Sequence, residues 1–340
     1  MGDADQAIVA KDLTKTFTIA RKHEGRFAAV RSLFDPIREQ RTVVDRLTMS
    51  VARGEIVALL GPNGAGKSTS IKMLTGILTP TSGEVLVDGR VPHRDRIANA
   101  HSIGAVFGQK TQLWWDIPAR QSLALLRDIY DIPKSVYDRQ LAEFDSILEL
   151  SQFWDTPVRN MSLGQRVRCE MAGAMLHDPP IVFLDEPTIG MDVVVKEQTR
   201  EFLRYQVQER GRTIVLTTHD MTEVARLCER VLLINYGRLM FDGTLEQLKA
   251  EHGGKPHVNV TFAEPVSVVE VPGARVVSHD GMRAAVAPDG VTTTEDVVRS
   301  LISRFPVVNV AVEETNLEDL MRDVYLAKLG EAPVSASRQA

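Results

Sequence analysis

Residues 55–68 read Glu-Ile-Val-Ala-Leu-Leu-Gly-Pro-Asn-Gly-Ala-Gly-Lys-Ser (EIVALLGPNGAGKS). An apolar run, Ile56–Leu60, leads into the pattern G-x-x-x-x-G-K-[ST], with Gly61, Pro62, Asn63, Gly64, Ala65 and Gly66 before Lys67 and Ser68. The order is that of a buried strand, a tight loop and a helix start. A polyphosphate needs many donors at close range and no steric bulk. Glycines let such a loop curl so that successive backbone N–H groups point inward. The helix expected from Lys67 to about Leu78 adds the positive end of its dipole. Lys67 is then placed to reach the β- and γ-phosphates and the Ser68 hydroxyl to bind Mg²⁺. Thr69 adds a contact to the α-phosphate. The spacing predicts a nucleoside triphosphate site.

A second stretch carries the complementary chemistry. Ile181-Val182-Phe183-Leu184-Asp185-Glu186 is an apolar strand ending in two acids. Buried carboxylates are costly unless paired or metal-bound. At the C-terminal end of a strand they face the crevice where α/β sheets hold ligands. Asp185 fits the metal-holding role, and Glu186 fits activation of a water for in-line attack on the γ-phosphate.

Around these two strands lie further short apolar runs, Thr213–Thr217 and Val231–Ile234, alternating with helical patterns near Val194–Glu209 and Met221–Cys228. Strands alternating with helices predict a parallel α/β sheet covered on both faces. Residues 7–19 and 42–51 read as edge-type strands, and Glu84–Val87 as another, ending at Asp88-Gly89. From Trp114 to about Leu176 the apolar spacing is helical, a helical insert of about 112–176. Composition breaks at Glu251–Pro256 (EHGGKP). Beyond it, short alternating runs, a helix near Thr294–Phe305, a strand Val307–Val312 and a helix near Leu317–Leu326 predict a small accessory α+β domain over 255–330. The small, polar tail 331–340 reads as disordered.

The chain has 340 residues, 44% apolar and 25% charged, room for one large and one small domain. A net charge of -5 gives no electrostatic case for a nucleic-acid partner. Cys169 and Cys228 lack metal-ligand spacing and read as buried apolar residues in a reducing compartment. No apolar run approaches the roughly 18 residues of a membrane helix, and no signal-peptide core stands at the N-terminus. The expectation is a cytoplasmic chain, peripheral on the cytoplasmic face of the cell membrane through a partner. Residues 20–41 set six basic side chains (Arg21, Lys22, Arg26, Arg31, Arg38, Arg41) against three acidic ones (Glu24, Asp35, Glu39). This segment reads as an inserted loop or short helix. It is either a solvated charged surface or a docking element for a membrane or partner.

Further motifs follow in a fixed order. Gln109 closes Val106-Phe107-Gly108-Gln109. Met161-Ser162-Leu163-Gly164-Gln165-Arg166 precedes a helix. Ile189-Gly190-Met191-Asp192 follows the two acids, and His219 stands in Thr217-Thr218-His219-Asp220. Phe17 ends Leu13-Thr14-Lys15-Thr16-Phe17. With the phosphate loop and the acidic strand, this set resembles the ATP-binding subunit of ABC transporters over roughly Ile8 to Leu248. The Ser162 segment is similar to that family's L-S-G-G-Q signature, departing at Met161 and Leu163. The basic insert displaces the usual spacing after Phe17.

The resemblance implies a P-loop NTPase of ABC type, with a RecA-like parallel core, an antiparallel β-subdomain and a helical insert, over an ATP-binding domain 1–248. It implies a dimeric ATPase, a homodimer by expectation, that sandwiches two ATP molecules head to tail. Ser162, Gly164 and Gln165 of one subunit, with Asp192, would complete the nucleotide site formed by the other's phosphate loop. Within a subunit, Phe17 would stack on adenine, Gln109 would sense nucleotide through Mg²⁺ or water, and His219 would hold the γ-phosphate geometry. Permease subunits would be separate chains. The stretch Lys110–Pro118 matches the surface that meets the permease. Trp114 and Trp115 there suit a partner groove or pack the insert's own core. The chain looks like a subgroup of multidrug-like exporter ATPases in FGQKTQLWWDIP, LDEPTIGMDVV and the run Glu313–Leu320. Export is therefore expected over import.

The alternative is a non-transport ABC ATPase acting in translation or DNA maintenance. Translation-type members carry two cassettes and this chain has one. Chromosome-type members insert a long coiled coil between the phosphate loop and the signature. Here Lys67 and Ser162 lie 95 positions apart (162 − 67) with no heptad run.

Overall fold

The computed structural model describes residues 5–21, 37–108, 111–218, 220–252, 257–289 and 291–313. Contacts divide the chain into two compact units, with the break after Leu245.

In the first unit, β1 (Gln6–Arg21) and β2 (Ile37–Ala52) form a long antiparallel ribbon, joined on the other edge of β1 by β4 (Ser82–Val87). The ribbon still pairs at Arg21 with Ile37. The ends of the basic segment are therefore strands, where the sequence suggested a loop or short helix. Alternation of apolar and polar residues extends the ladder there. Residues 22–36 lie outside the described residues.

The larger sheet has six strands in the order β5-β6-β7-β3-β8-β9. These are β3 (Ile56–Leu60), β5 (Ile103–Phe107), β6 (Ile181–Asp185), β7 (Thr213–Thr217), β8 (Arg230–Asn235) and β9 (Arg238–Gly243). All pairs are parallel except the edge hairpin β8–β9. Side chains alternate between faces. Val57, Leu59, Phe183, Val215 and Leu232 join one buried cluster with Ile8, Leu13, Val44 and Leu47 of the ribbon. Ala58, Leu60, Val182, Leu184, Ile214 and Leu216 point the other way and are equally buried. Both faces are covered, which explains the unbroken apolar runs.

Helix α1 (Lys67–Leu74) packs between ribbon and sheet through Ile71, Met73 and Leu74. It stops before the expected Leu78. Gly76 turns left-handed (φ +77°), and a side chain there would lie 2.5 Å from the Pro92 carbonyl oxygen. The next helix, α2 (Arg96–Ser102), leads straight into β5. The pattern reading passed over both, because a seven-residue helix shows barely two turns of periodicity. The helical insert holds α3 (Ala119–Ile129), α4 (Lys134–Leu148) and α5 (Leu163–Met175), with short 3₁₀ turns between α4 and α5. Pro118 and Pro133 stand at the N-caps of α3 and α4. Proline cannot donate to a helix interior and sets extended backbone before it. Helix α6 (Val193–Gln208) and helix α7 (Met221–Leu227) complete the unit.

The second unit holds α8 (Leu245–His252) from its second residue onward. It also holds a four-stranded antiparallel sheet in the order β11-β12-β10-β13. The strands are β10 (His257–Phe262), β11 (Ala274–His279), β12 (Arg283–Pro288) and β13 (Val307–Glu313). Helix α9 (Thr294–Arg304) covers one face, burying Val297 and Leu301 against Val258, Val260, Phe262 and Val286. The expected helix near Leu317–Leu326, the run Glu313–Leu320 from Glu314 on and the tail 331–340 lie outside the described residues.

Candidate active site

The phosphate loop sits at the C-terminal end of β3, the central strand. Gly61, Gly64 and Gly66 all have positive φ (+148°, +82° and +105°). At Gly61 the need for glycine is also spatial: a Cβ would lie 2.1 Å from the Ile234 carbonyl oxygen. The loop is braced from behind. Gly237 N–H donates to the Ala65 carbonyl at 2.8 Å, and Asp45 N–H to the Gly237 carbonyl at 3.0 Å. The β8–β9 turn thus supports the loop, a contribution that only the Tyr236-Gly237 turn dipeptide hinted at in the sequence.

Lys67 is nearly buried, and its Nζ donates to the Gly61 carbonyl at 2.6 Å and the Pro62 carbonyl at 3.1 Å. Burial pushes its pKa down, while the charges of Glu186 and Asp185 pull it up. The ammonium is thus held by two loop carbonyls, with two acids near enough to feel its charge.

Residues 63–69 line a cleft of about 540 Å³ together with Asp185 and Glu186. That volume lies within the usual range for small-molecule sites, roughly 300–1,000 Å³. The structure therefore brings the two separately read motifs to one cavity. It adds Val43, Lys72, Ile77, Phe107, Gly108 and Ile189 to the lining. Phe107, Gly108 and Ile189 belong to the motifs of Gln109 and Asp192, whereas Val43, Lys72 and Ile77 had no sequence signal of their own.

At the end of β6, Asp185 Oδ1 accepts a hydrogen bond from Thr217 Oγ1 at 2.6 Å. Glu186 is left-handed, φ +53°, and its N–H donates to the Thr217 carbonyl at 3.1 Å and to Thr217 Oγ1 at 3.0 Å. A left-handed glutamate carries about 1–2 kcal/mol of strain. Such strain persists where surrounding structure over-determines it, often at functional positions. Gly108 approaches closely: a Cβ there would be 2.8 Å from the Asp185 carbonyl oxygen.

The donor set can be tested against a metal. Ser68 and Asp185 offer a hydroxyl and a carboxylate in one cleft. Among the described residues no cluster of three or more His, Cys, Asp or Glu could hold a metal ion. Hard oxygen donors, few in number and next to a phosphate loop, suit Mg²⁺, which keeps several waters and draws ligands from phosphates.

Other sequence-derived candidates lie elsewhere. Ser162 caps α5: its Oγ accepts from Gln165 N–H at 3.2 Å, and Ser162 N–H donates to Gln165 Oε1 at 3.0 Å. This reciprocal capping box ties the Gln165 side chain to its own helix start. Gly164 lets α5 approach α6, since a Cβ would lie 3.2 Å from Val195 Cγ1. Asp192 caps α6, its Oδ1 accepting from Val194 N–H and Val195 N–H at 3.0 Å each. Ser162, Gly164, Gln165 and Asp192 do not line the cleft of their own chain. Nor does Phe17, which pairs with Arg41 across the ribbon and has Lys15 Nζ 5.2 Å from its ring centre. Gln109 and His219 lie outside the described residues. Trp114 and Trp115 are 41% and 47% exposed, so neither is a core residue of the insert, and Arg166 stacks on the Trp115 ring at 5.7 Å.

Comparison with known proteins gives a consistent picture. Residues 44–189 match the family model described as ABC transporter. The chain is 33% identical over 287 residues to Nod factor export ATP-binding protein I of Neorhizobium galegae, covering 84% of this chain and 81% of that protein. It is 32% identical to daunorubicin resistance ATP-binding protein DrrA3 of Streptomyces coeruleorubidus, over 77% of this chain and 84% of that one. It is 34% identical to the probable multidrug ABC transporter ATP-binding protein YbhF of Escherichia coli, but spans only 41% of that protein's length. Among solved structures, an ATP-binding subunit of an ABC transporter superposes with a TM-score of 0.60 at 25% identity, over 72% of this chain and 92% of that one. A dimeric ATP-binding cassette in a post-hydrolysis state with ADP and phosphate superposes with a TM-score of 0.58 at 26% identity, over 70% and 98%.

Proposed function

This chain belongs to the ABC transporter family, whose ATP-binding subunits dimerise, work with permease subunits and hydrolyse ATP to drive transport; from that premise we propose that it powers an exporter as a homodimer on the cytoplasmic face of the membrane. The observation that carries the reading is the single cleft shared by the phosphate loop and the two acids of β6. Export is supported by the relatives, named for Nod factor export and daunorubicin resistance. Among the described residues no helix is long and apolar enough to cross a membrane. In this reading the membrane path belongs to a separate permease, and the exposed Trp114–Trp115 pair offers it an anchor.

In this reading Gly61–Gly66 and Thr69 bind the phosphates through backbone and hydroxyl donors, and Lys67 moves from its loop carbonyls onto the β- and γ-phosphates. Ser68 and Asp185 would hold Mg²⁺, with Gln109 close enough to sense it directly or through water. Such a cation would supply charge to offset that developing on the phosphates. Glu186 takes a proton from the attacking water, and His219 holds the γ-phosphate in line. Phe17 stacks on adenine. The other subunit supplies Ser162, Gly164 and Gln165 at the γ-phosphate, with Asp192 near the dimer seam. The start of α5 is suited to this, because its N-terminal N–H groups and dipole favour an anion. The small accessory domain over 255–330 serves dimer stability or regulation, and 1–248 is the ATP-binding domain.

Two measurements test this. Glu186→Gln should lower ATP turnover on the order of 10²-fold or more while ATP still binds; turnover at the wild-type rate would remove Glu186 as the base. Reconstituted with its permease in vesicles that face the ATPase outward, the complex should move substrate into the lumen when ATP is added outside. Movement out of the lumen would make it an importer.

A further inference from the structure

Strands β6 and β7 run parallel, and their register sets Asp185 beside Thr217. Thr217 is fully buried, 0% exposed. A buried hydroxyl is costly without partners. This one has two, and both are in the candidate site. An N–H can only donate, so the Thr217 oxygen accepts from Glu186 N–H at 3.0 Å. Its own proton is thereby directed to Asp185 Oδ1 at 2.6 Å. Valine would fill a buried strand position as well as threonine does, and the neighbours Ile214, Val215 and Leu216 are all apolar. The strand does not require the hydroxyl; the acids beside it use it.

The next residue faces the other way. Thr218 Oγ1 donates to Glu223 Oε2 at 2.9 Å and accepts from Asp220 N–H at 3.0 Å. Two successive threonines therefore contact, in turn, the acids at the end of β6 and the start of α7.

We propose that Thr217 is a positioning residue for ATP hydrolysis: its hydroxyl fixes the rotation of the Asp185 carboxylate toward the divalent cation and anchors the left-handed backbone of Glu186. The inference rests on the reading of Asp185 as the metal-holding acid. A charge-assisted hydrogen bond to one carboxylate oxygen removes rotational freedom and leaves the remaining lone pairs aimed into the cleft. Hydrogen-bond partners behind a metal ligand typically account for 10–100-fold in metal affinity.

The test uses the full chain carrying Thr217→Val or Thr217→Ser, with Mn²⁺ as a spectroscopic stand-in for Mg²⁺. Free Mn²⁺ is followed by electron paramagnetic resonance in the presence of ADP. Thr217→Val should weaken Mn²⁺ binding about tenfold or more and raise the Mn²⁺ needed for half-maximal ATPase activity by a similar factor. ADP binding in EDTA should stay at the wild-type value. Thr217→Ser, which keeps the hydroxyl, should restore Mn²⁺ affinity. Wild-type Mn²⁺ affinity in the valine variant overturns the proposal, and so does an equal loss in the serine variant. If the valine chain does not fold, Thr217→Ala takes its place with the same expectation. Asp185→Asn separates the two levels. If it weakens Mn²⁺ binding while Thr217→Val does not, the role of Thr217 alone is refuted. If it leaves Mn²⁺ binding unchanged, the assignment of Asp185 fails and Thr217 with it.

Discussion

In the proposed site, Lys67 is the side chain on which nucleotide binding turns. Its two hydrogen bonds to loop carbonyls hold the ammonium across the loop, and a phosphate must draw it away from Gly61 and Pro62. Exchanging carbonyl partners for phosphate oxygens trades neutral acceptors for charged ones and adds a direct charge–charge attraction. Lys67→Ala should therefore weaken ATP binding by at least about tenfold, the equivalent of about 1.4 kcal/mol. Titration with a fluorescent ATP analogue measures it, and an unchanged dissociation constant would refute the phosphate-loop role. The loop and the two acids were legible in the sequence because each is a contiguous motif with its own chemistry. Thr217, Gly237 and Val43 were not, because each meets the site only through residues remote from it in the chain. Only the β6–β7 register shows that residues 185 and 217 touch.

Among the elements, α5 carries two separable features. At its start, the Ser162–Gln165 capping box satisfies two backbone donors. Gln165→Ala leaves the Ser162 N–H without its partner and should cost about 0.5–1 kcal/mol in chemical denaturation. A loss in dimer assembly beyond that would place Gln165 at the nucleotide as well. Just beyond the C-terminal end, His177 stacks on Tyr130 with ring centres 4.0 Å apart. Its Nε2 bonds the Ile103 carbonyl at 3.0 Å, while its buried Nδ1 has no hydrogen-bond partner. A second proton on that ring would be buried without an acceptor, and burial lowers the pKa to about 4. The folded state thus binds fewer protons than the unfolded chain below the ordinary histidine value of about 6.5. Stability is full above that value and falls as pH drops toward 4. Between pH 7 and 5 the wild type should lose on the order of 1–2 kcal/mol more than His177→Phe. Equal losses by urea unfolding would refute the assignment. At this scale, long periodic or continuously apolar stretches read correctly, including β6, β7 and α6. Short elements such as α2 escaped, because they show too few turns of periodicity.

Taken whole, the first unit presents half of a site. Its cleft holds the phosphate loop and the acids, while Ser162, Gly164, Gln165 and Asp192 do not line that cleft. The helix start at Ser162 is fully built, with a capped end and close packing against α6 through Gly164, yet it has no anion to serve within its own chain's cleft. A second copy, turned head to tail, would give it one. In the proposed function ATP then acts as a cross-link between two chains, and hydrolysis as the release. The measurement that bears on this most directly is the molar mass of Glu186→Gln by light scattering, with and without ATP. The account predicts a chain of 37.7 kDa without nucleotide and twice that mass with ATP bound. A mass that stays at one chain when ATP is bound, or at two chains regardless of ATP, would contradict it.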